Sequence, residues 1–209
     1  GYGAEFGRST GGVINAVTRR GSNEWEFGVV SYAETALAQG TSPDTILADG
    51  TIYDFNSENE QTKFATDFYV GGPIIKDRLF FFALVEPSET TTDFNSLGSP
   101  ETLNKRETND DFWGGNLTWN ITDNHSLSYT TFTDEREIIT NQYDYDVDTR
   151  TQGAEIGQSS QFRGGENEIF RYDGNIGDNF VISAMYGKNQ YNLTDQSTND
   201  VNCPLIVDD

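Results

Sequence analysis

The segment FWGGNLTWNITDNHSLSYTTFT, residues 112–133, decides the fold of this chain. In its first half, large apolar residues and small polar residues alternate from Trp113 to Ile121. A period of two indicates a β-strand, because successive side chains of a strand point to opposite faces. Asp123-Asn124 then separates this run from a second strand-like run, and such residues favour a tight turn. The segment therefore predicts an antiparallel hairpin with one apolar face and one polar face.

The same unit recurs along the chain, and one further strand precedes the three hairpins. The predicted strands are Glu24–Thr35; Thr62–Ile75 and Arg78–Thr92, joined at Lys76-Asp77; Asp110–Thr122 and His125–Thr133; and Glu168–Ile176 and Phe180–Tyr191, joined around residues 177–179. Between the hairpins we predict long polar loops at Ala36–Gln61, Asp93–Asn109 and Asp134–Asn167. Short turns at one end of every strand and long loops at the other are typical of a transmembrane β-barrel.

The two faces of these strands predict two different surroundings. An apolar face with Trp suits lipid, and a face of Asn, Thr and Gly suits a water-filled lumen. Leu79–Val85 is apolar on both faces, and we orient it so that Glu86 points inward. Its predicted outward residues are Leu79, Phe81, Ala83 and Val85. Arg171 and Asp173 fall on an inward face, which must then be wet or internally paired.

Composition limits the classes of function. The 209 residues carry a formal net charge of -21, which disfavours binding to nucleic acid and to anionic lipid headgroups. With one cysteine, Cys203, the chain cannot form an intrachain disulfide; the thiol either pairs beyond this sequence or is incidental. The sequence has no run of about 18 apolar residues, so it predicts no membrane-spanning helix. The opening Gly1-Tyr2-Gly3 suggests an internal piece of a longer protein.

Two stretches resemble a known family. GYGAEFGRSTGGVINAVTRRGSNEW, residues 1–25, resembles the end of the plug domain and the entry to the first barrel strand of TonB-dependent outer-membrane receptors, with the closest likeness to the Oar-like subgroup. GGPIIKDRLFFFALVE, residues 71–86, is similar to the hairpin between the second and third barrel strands of that subgroup. Together these stretches cover about a fifth of the chain, and the remainder agrees in strand rhythm.

The resemblance implies an all-β fold: an antiparallel up-and-down meander forming part of a transmembrane barrel of about 22 strands around a plug. Residues 1–23 would be the end of the plug and its linker, and residues 24–209 about seven barrel strands, too few to close. It implies the outer membrane of a Gram-negative bacterium, with outer-membrane lipid and an inner-membrane energy-coupling protein as partners. A small-molecule, peptide or oligosaccharide ligand would bind at extracellular loops and be imported actively.

Candidate contacts follow from the loops and from the Gly-rich start of the chain. The predicted ligand-binding residues are Tyr143, Asp144, Tyr145, Asp146 and Asp148, and the predicted plug–barrel contacts are Arg8, Arg19 and Arg20. Alternating carboxylates at 144–148 also suit Ca²⁺, but the Gly and distal Glu of an EF-hand loop are missing, so a solvated acidic loop is favoured. His125 is the single histidine, and we predict no catalytic residue, no metal ligand and no cofactor. The alternative is a secreted all-β binding module or adhesin, whose apolar faces would pack into a two-sheet core.

Overall fold

The computed structural model describes residues 19–97, 101–177 and 179–198. Arg8 and most of the predicted plug end, residues 1–18, lie outside these residues. The described chain is built from antiparallel strands, which confirms the predicted all-β class. Among the described residues, no helix is both long enough and apolar enough to cross a membrane.

Fourteen strands and two short 3-10 turns follow one another in the described part of the chain. The strands are β1 (Glu26–Glu34), β2 (Thr45–Ile46), β3 (Ile52–Asp54), β4 (Glu60–Ile75), β5 (Leu79–Glu86), β6 (Ser88–Ser96), β7 (Thr102–Asn109), β8 (Phe112–Thr122), β9 (His125–Thr133), β10 (Arg136–Asp146), β11 (Thr151–Gly164), β12 (Glu166–Ile176), β13 (Phe180–Asn189) and β14 (Asn192–Ser197). The 3-10 turns are Ala36–Ala38 and Asn56–Glu58, and β2 and β3 form a separate small hairpin.

Ten of these strands join in consecutive pairs, and each pair forms one longer strand. β4 pairs with β5 along one part of its length and with β6 along the next. Between the pair Phe68–Val85 and the pair Ala65–Ser88, both strands move on by three residues, so the register is unbroken. The same unbroken register joins β7 to β8, β9 to β10, β11 to β12, and β13 to β14. The main sheet is therefore a meander of seven long strands. Within the described residues, β1 and the β13–β14 strand each pair on one side only, so the sheet is open.

The predicted hairpins are confirmed, with β9 beginning and ending at the predicted residues. Two predicted loops are wrong. The described residues of Asp93–Asn109 and Asp134–Asn167 are mostly strand: β6 runs to Ser96 and β7 from Thr102, and the turn at 147–150 separates β10 from β11. These strands are polar on both faces, so they lack the apolar alternation that identifies a strand in sequence, although their backbone ladders are intact. The connection between β1 and β4 is long, as predicted.

The five composite strands are interrupted along one line across the sheet, here called the break line. It consists of Pro87, Asp110–Asp111, Asp134–Glu135, Gly165 and Gln190–Tyr191. These residues are neighbours in space: the Asp110 N–H donates to the Ser88 carbonyl at 3.0 Å, and the Asp134 N–H donates to the Gly165 carbonyl at 3.1 Å. The part of the sheet toward the short turns is here called the lower tier, and the part beyond the line the upper tier.

Side chains replace ladder hydrogen bonds at the break line. Pro87 has no N–H to donate. The carboxylate of Asp111 accepts the Ser88 N–H at 3.0 Å, and that of Asp134 accepts the Gly165 N–H at 2.9 Å. Backbone donors in a folded chain require such partners. The sequence therefore interrupts the ladder here without leaving these amides unpaired.

Candidate functional site

The outer face of the lower tier is apolar and uncovered. Trp113 is 41% exposed and Trp119 is 48% exposed. Register places Leu79 opposite Trp119 and Val85 opposite Trp113, which confirms the predicted outward set. Other large apolar residues exposed on this face are Phe27, Val29, Phe68, Val70, Leu117, Ile121, Leu127, Phe170, Ile176, Phe180 and Tyr186. No second layer of described residues covers this face.

The inner face of the lower tier is polar and hydrogen-bonded on much of β8, β9 and β12, and it carries an apolar patch at Phe82, Leu84, Phe112 and Phe132. The Asn116 amide donates to the Thr130 hydroxyl at 2.8 Å, and the Thr118 hydroxyl donates to the Asn116 side-chain oxygen at 2.8 Å. Arg171 pairs with Asp173 at 2.8 Å, so the two predicted inward charges neutralise each other. These polar groups therefore find their partners within the sheet.

The contrast between the faces indicates the surroundings of the sheet. Leaving apolar surface in water costs roughly 25 cal/mol per Å². A contiguous exposed patch of this kind marks contact with a membrane or with another protein. A two-sheet core would have buried Trp113, Leu117 and Trp119, and the described residues do not do so. The lower tier requires an apolar partner outside the described residues.

The segment ahead of β1 crosses the inner face. The Arg19 guanidinium lies over the rings of Tyr69 and Phe82, 4.9 and 5.4 Å from their centroids, and bonds to Glu26 at 2.6 Å. These rings help to line an open cavity of about 490 Å³ on the inner face. Arg19 thus contacts β1, β4 and β5. The plug–barrel role of Arg19, like that of Arg20, stays a prediction.

Glycine and asparagine fix the path of this segment. A Cβ on Gly21 would lie 2.1 Å from the Phe81 carbonyl oxygen, so only glycine fits this approach. The Asn23 amide donates to the Asp77 carboxylate at 2.7 Å and its oxygen accepts the Asp77 N–H at 2.8 Å. Asp77 lies in the first short turn with φ of 62°. The segment is therefore anchored at the end of the sheet that carries the short turns.

The predicted ligand-binding residues lie at the opposite end, in strand rather than loop. Residues 143–146 are the last four residues of β10, and Asp148 lies in the turn at 147–150. The Lys105 ammonium lies over the Tyr143 ring at 5.6 Å, and Asp144 pairs in register with Thr102. The Asp146 carboxylate accepts the Thr149 N–H at 2.9 Å, and this bond lowers the pKa of Asp146. Ligand binding by these residues stays a prediction.

Tyr145 belongs to a partly buried cluster that sequence patterns did not reveal, here called the tip cluster: Phe55, Glu58, Asn95, Tyr145 and Arg150. Its centre is the Glu58 carboxylate, which accepts the Tyr145 hydroxyl at 2.7 Å and an Arg150 N–H at 2.8 Å. Arg150 lies 4.5 Å above the Phe55 ring. Phe55 is 3% exposed and Tyr145 is 5% exposed. Since 87 residues separate Glu58 from Tyr145, no local motif predicts this contact.

The tip cluster ties the long connection before β4 to the tip of the β10–β11 hairpin. No His, Cys, Asp or Glu group in the described ranges is arranged to hold a metal ion. The hydrogen bonds of Asn95, Tyr145 and Arg150 to Glu58 make this cluster an anchor between chain segments.

Tyr145→Phe is expected to loosen this connection. The lost hydrogen bond to a charged acceptor contributes about 1.5–3 kcal/mol. Burial, and then the bond to Glu58, raises the pKa of Tyr145 to about 12. A pKa above the unfolded value means that the contribution is full below about pH 10 and is lost as pH rises toward 12. Hydrogen exchange of residues 36–54 measures the effect. Tyr53→Phe, an exposed tyrosine in β3, is the control, and equal exchange in both variants would contradict the anchor.

Comparison with known proteins gives one curated relative. Over 92 residues, 43% of this chain, the sequence is 47% identical to the TonB-dependent transporter Oar of Myxococcus xanthus. The chain is related to a TonB-dependent transporter. The match spans 8% of the length of that transporter. No family model and no solved structure matches the chain. The relationship agrees with the open antiparallel sheet described above, which is consistent with a piece of a β-barrel.

Proposed function

We propose that this chain forms part of the wall of an outer-membrane TonB-dependent transporter of the Oar-like subgroup. That protein would bind a ligand at the end of the sheet remote from the short turns and import it into the periplasm of a Gram-negative bacterium. The chain performs no covalent chemistry in this role. The observation that carries the proposal is the uncovered apolar outer face, set against an inner face that is polar and hydrogen-bonded on much of β8, β9 and β12.

The dimensions of the lower tier support this role. β5 has 8 residues and β8 has 11 residues. At about 3.3 Å per residue and a tilt of about 45°, such strands rise roughly 19–26 Å. The apolar band of outer-membrane barrels is about 25 Å tall. The height of the lower tier therefore matches that of the apolar band of an outer-membrane barrel. Outer-membrane lipid is its proposed partner.

The start of the chain supports the division into a plug end, residues 1–23, and barrel wall, residues 24–209. Arg19 lies against the inner wall, as a linker leaving a plug inside the barrel would. Asp67, also on the cavity wall, has a buried Oδ1 without a hydrogen-bond donor. We place Arg8 of the plug end near such an inward carboxylate, and the energy-coupling protein of the inner membrane acts on the rest of the plug.

Brominated lipid tests the proposal in the full-length protein. If Trp113 and Trp119 face hydrocarbon, brominated phospholipid quenches their fluorescence. Replacing both by Phe is expected to remove the part of the emission that brominated lipid quenches. Iodide, which stays in water, is expected to quench Trp113 and Trp119 little. The protein should also fractionate with the outer membrane and migrate differently after heating. Recovery as a soluble periplasmic monomer, with both tryptophans shielded from lipid, would overturn the proposal.

A further inference from the structure

The outward residues of the sheet change character at the break line. Below it, outward positions are dominated by the large apolar residues of β4, β5, β8, β12 and β13. Above it, the outward residues of the neighbouring strands are mainly charged or polar: Glu89, Thr91, Asp93, Lys105, Glu107, Asn109, Glu137, Asn141, Gln158 and Ser160. The ladder is hydrogen-bonded in both tiers, so the change is one of side chains and not of backbone pairing.

We propose that the break line marks the level at which the wall leaves the hydrocarbon of the membrane. The lower tier contacts lipid chains, and the upper tier stands among headgroups and in water as a hydrophilic extension of the wall. This inference rests on the proposed function and adds the depth at which the chain sits.

The charged residues on the break line support its placement at the edge of the hydrocarbon. By the alternation that turns Asn109 and Glu137 outward, Asp111 and Glu135 take outward positions on the line, and both are exposed. An arginine or lysine facing hydrocarbon costs about 2–4 kcal/mol near the bilayer midplane and about 0–1 kcal/mol near the interface, and a carboxylate costs less but follows the same trend with depth. These two outward carboxylates are therefore better tolerated at the headgroup level than inside the hydrocarbon.

The upper tier is polar on its inner face as well. The Arg106 guanidinium lies 4.8 Å from the Phe94 ring centroid and its Nε donates to the Thr140 hydroxyl at 3.3 Å. Asn104 and Thr140 are buried on the same face. With polar residues on both faces, this part of the sheet gains nothing from lipid contact, and its stability comes from the ladder and from such side-chain bonds.

The few outward charges below the line lie close to it. Glu168 and Lys188 are cross-strand partners, and Glu168 accepts the Tyr129 hydroxyl at 2.9 Å. Each lies within three residues of the break line along its strand. Farther down, the outward positions of β12 and β13 are Phe170, Tyr172, Gly174, Ile176, Phe180, Ile182, Ala184 and Tyr186. The charge boundary thus follows the line to within about one residue pair on each strand.

Spin labels measure this depth in the full-length protein in lipid vesicles, with Cys203 and any other cysteine replaced by Ser. Ala83→Cys and Leu127→Cys place a nitroxide below the line, and Ile139→Cys and Phe162→Cys place one above it. Molecular oxygen concentrates in hydrocarbon, and a nickel chelate stays in water. We expect relaxation by oxygen and loss of relaxation by nickel at 83 and 127, and the reverse at 139 and 162.

Ile139 and Phe162 make the test strict, because they are apolar and hydropathy would place them in lipid. Oxygen-dominated relaxation at 139 and 162, with 83 and 127 also in lipid, would overturn the break line as the boundary and leave the membrane role intact. Nickel-dominated relaxation at 83 and 127 would overturn both this inference and the proposed function.

Discussion

Gly165→Ala is expected to destabilise the sheet by about 3 kcal/mol or more, because no side chain fits at this position. A Cβ on Gly165 would lie 2.0 Å from the Gln190 carbonyl oxygen and 2.9 Å from its carbon. Both are backbone atoms, so relief requires the β13–β14 strand to move away and break the pairing that follows. Urea unfolding of the full-length protein in vesicles, followed by the loss of heat-modifiable migration, measures the effect.

Gly187→Ala is the matched control on the neighbouring strand. The nearest atom to its Cβ would be the Glu168 carbonyl oxygen at 3.8 Å, which is ordinary contact. We expect this variant to unfold within about 0.5–1 kcal/mol of wild type. Equal unfolding curves for the two variants would show that the close approach at the break line does not exist in solution.

Leu117→Arg is expected to cost about 2–4 kcal/mol if the outer face of β8 lies in hydrocarbon. Leu117 is 39% exposed and lies between Trp113 and Trp119 on the apolar face. In water, an arginine at a half-exposed strand position would be nearly neutral. The size of the loss therefore reports the surroundings of this face, and unfolding in vesicles measures it.

Asn120→Arg is the control for this substitution, three residues along the same strand and on the inner face. Asn120 lines a cavity with Asp77, Asp123 and Asp173, so an added guanidinium there gains carboxylate neighbours. We expect Asn120→Arg to fold with little loss. If Leu117→Arg is equally well tolerated, the apolar face does not contact lipid, and the transporter proposal fails with it.

The lower tier could be read from the sequence because its signals are local. Alternation between Trp113 and Ile121 assigns each side chain to a face, and Asp123-Asn124 fixes the register of the hairpin that follows. The same reasoning oriented Leu79–Val85, where Glu86 decided between two apolar faces, and the pairing with β8 confirms it. A period of two and a two-residue turn suffice for these assignments.

The upper tier could not be read in this way. β7 and β10 present polar residues on both faces, so nothing in their sequence separates a strand in water from a loop. Tyr145 was predicted to meet a ligand, and the structure buries it against Glu58. That contact joins residues far apart in the chain, and no spacing rule applies to it.

By itself, the sequence determined the all-β class, the hairpins of the lower tier and the two faces of its strands, because each depends on residues within a few positions of one another. Only the tertiary structure decided the length of the strands, the break line and the tip cluster. Each of these depends on which strands become neighbours. A carboxylate that caps an amide on the next strand, or a glycine that admits the backbone of another, is defined only once the sheet has formed.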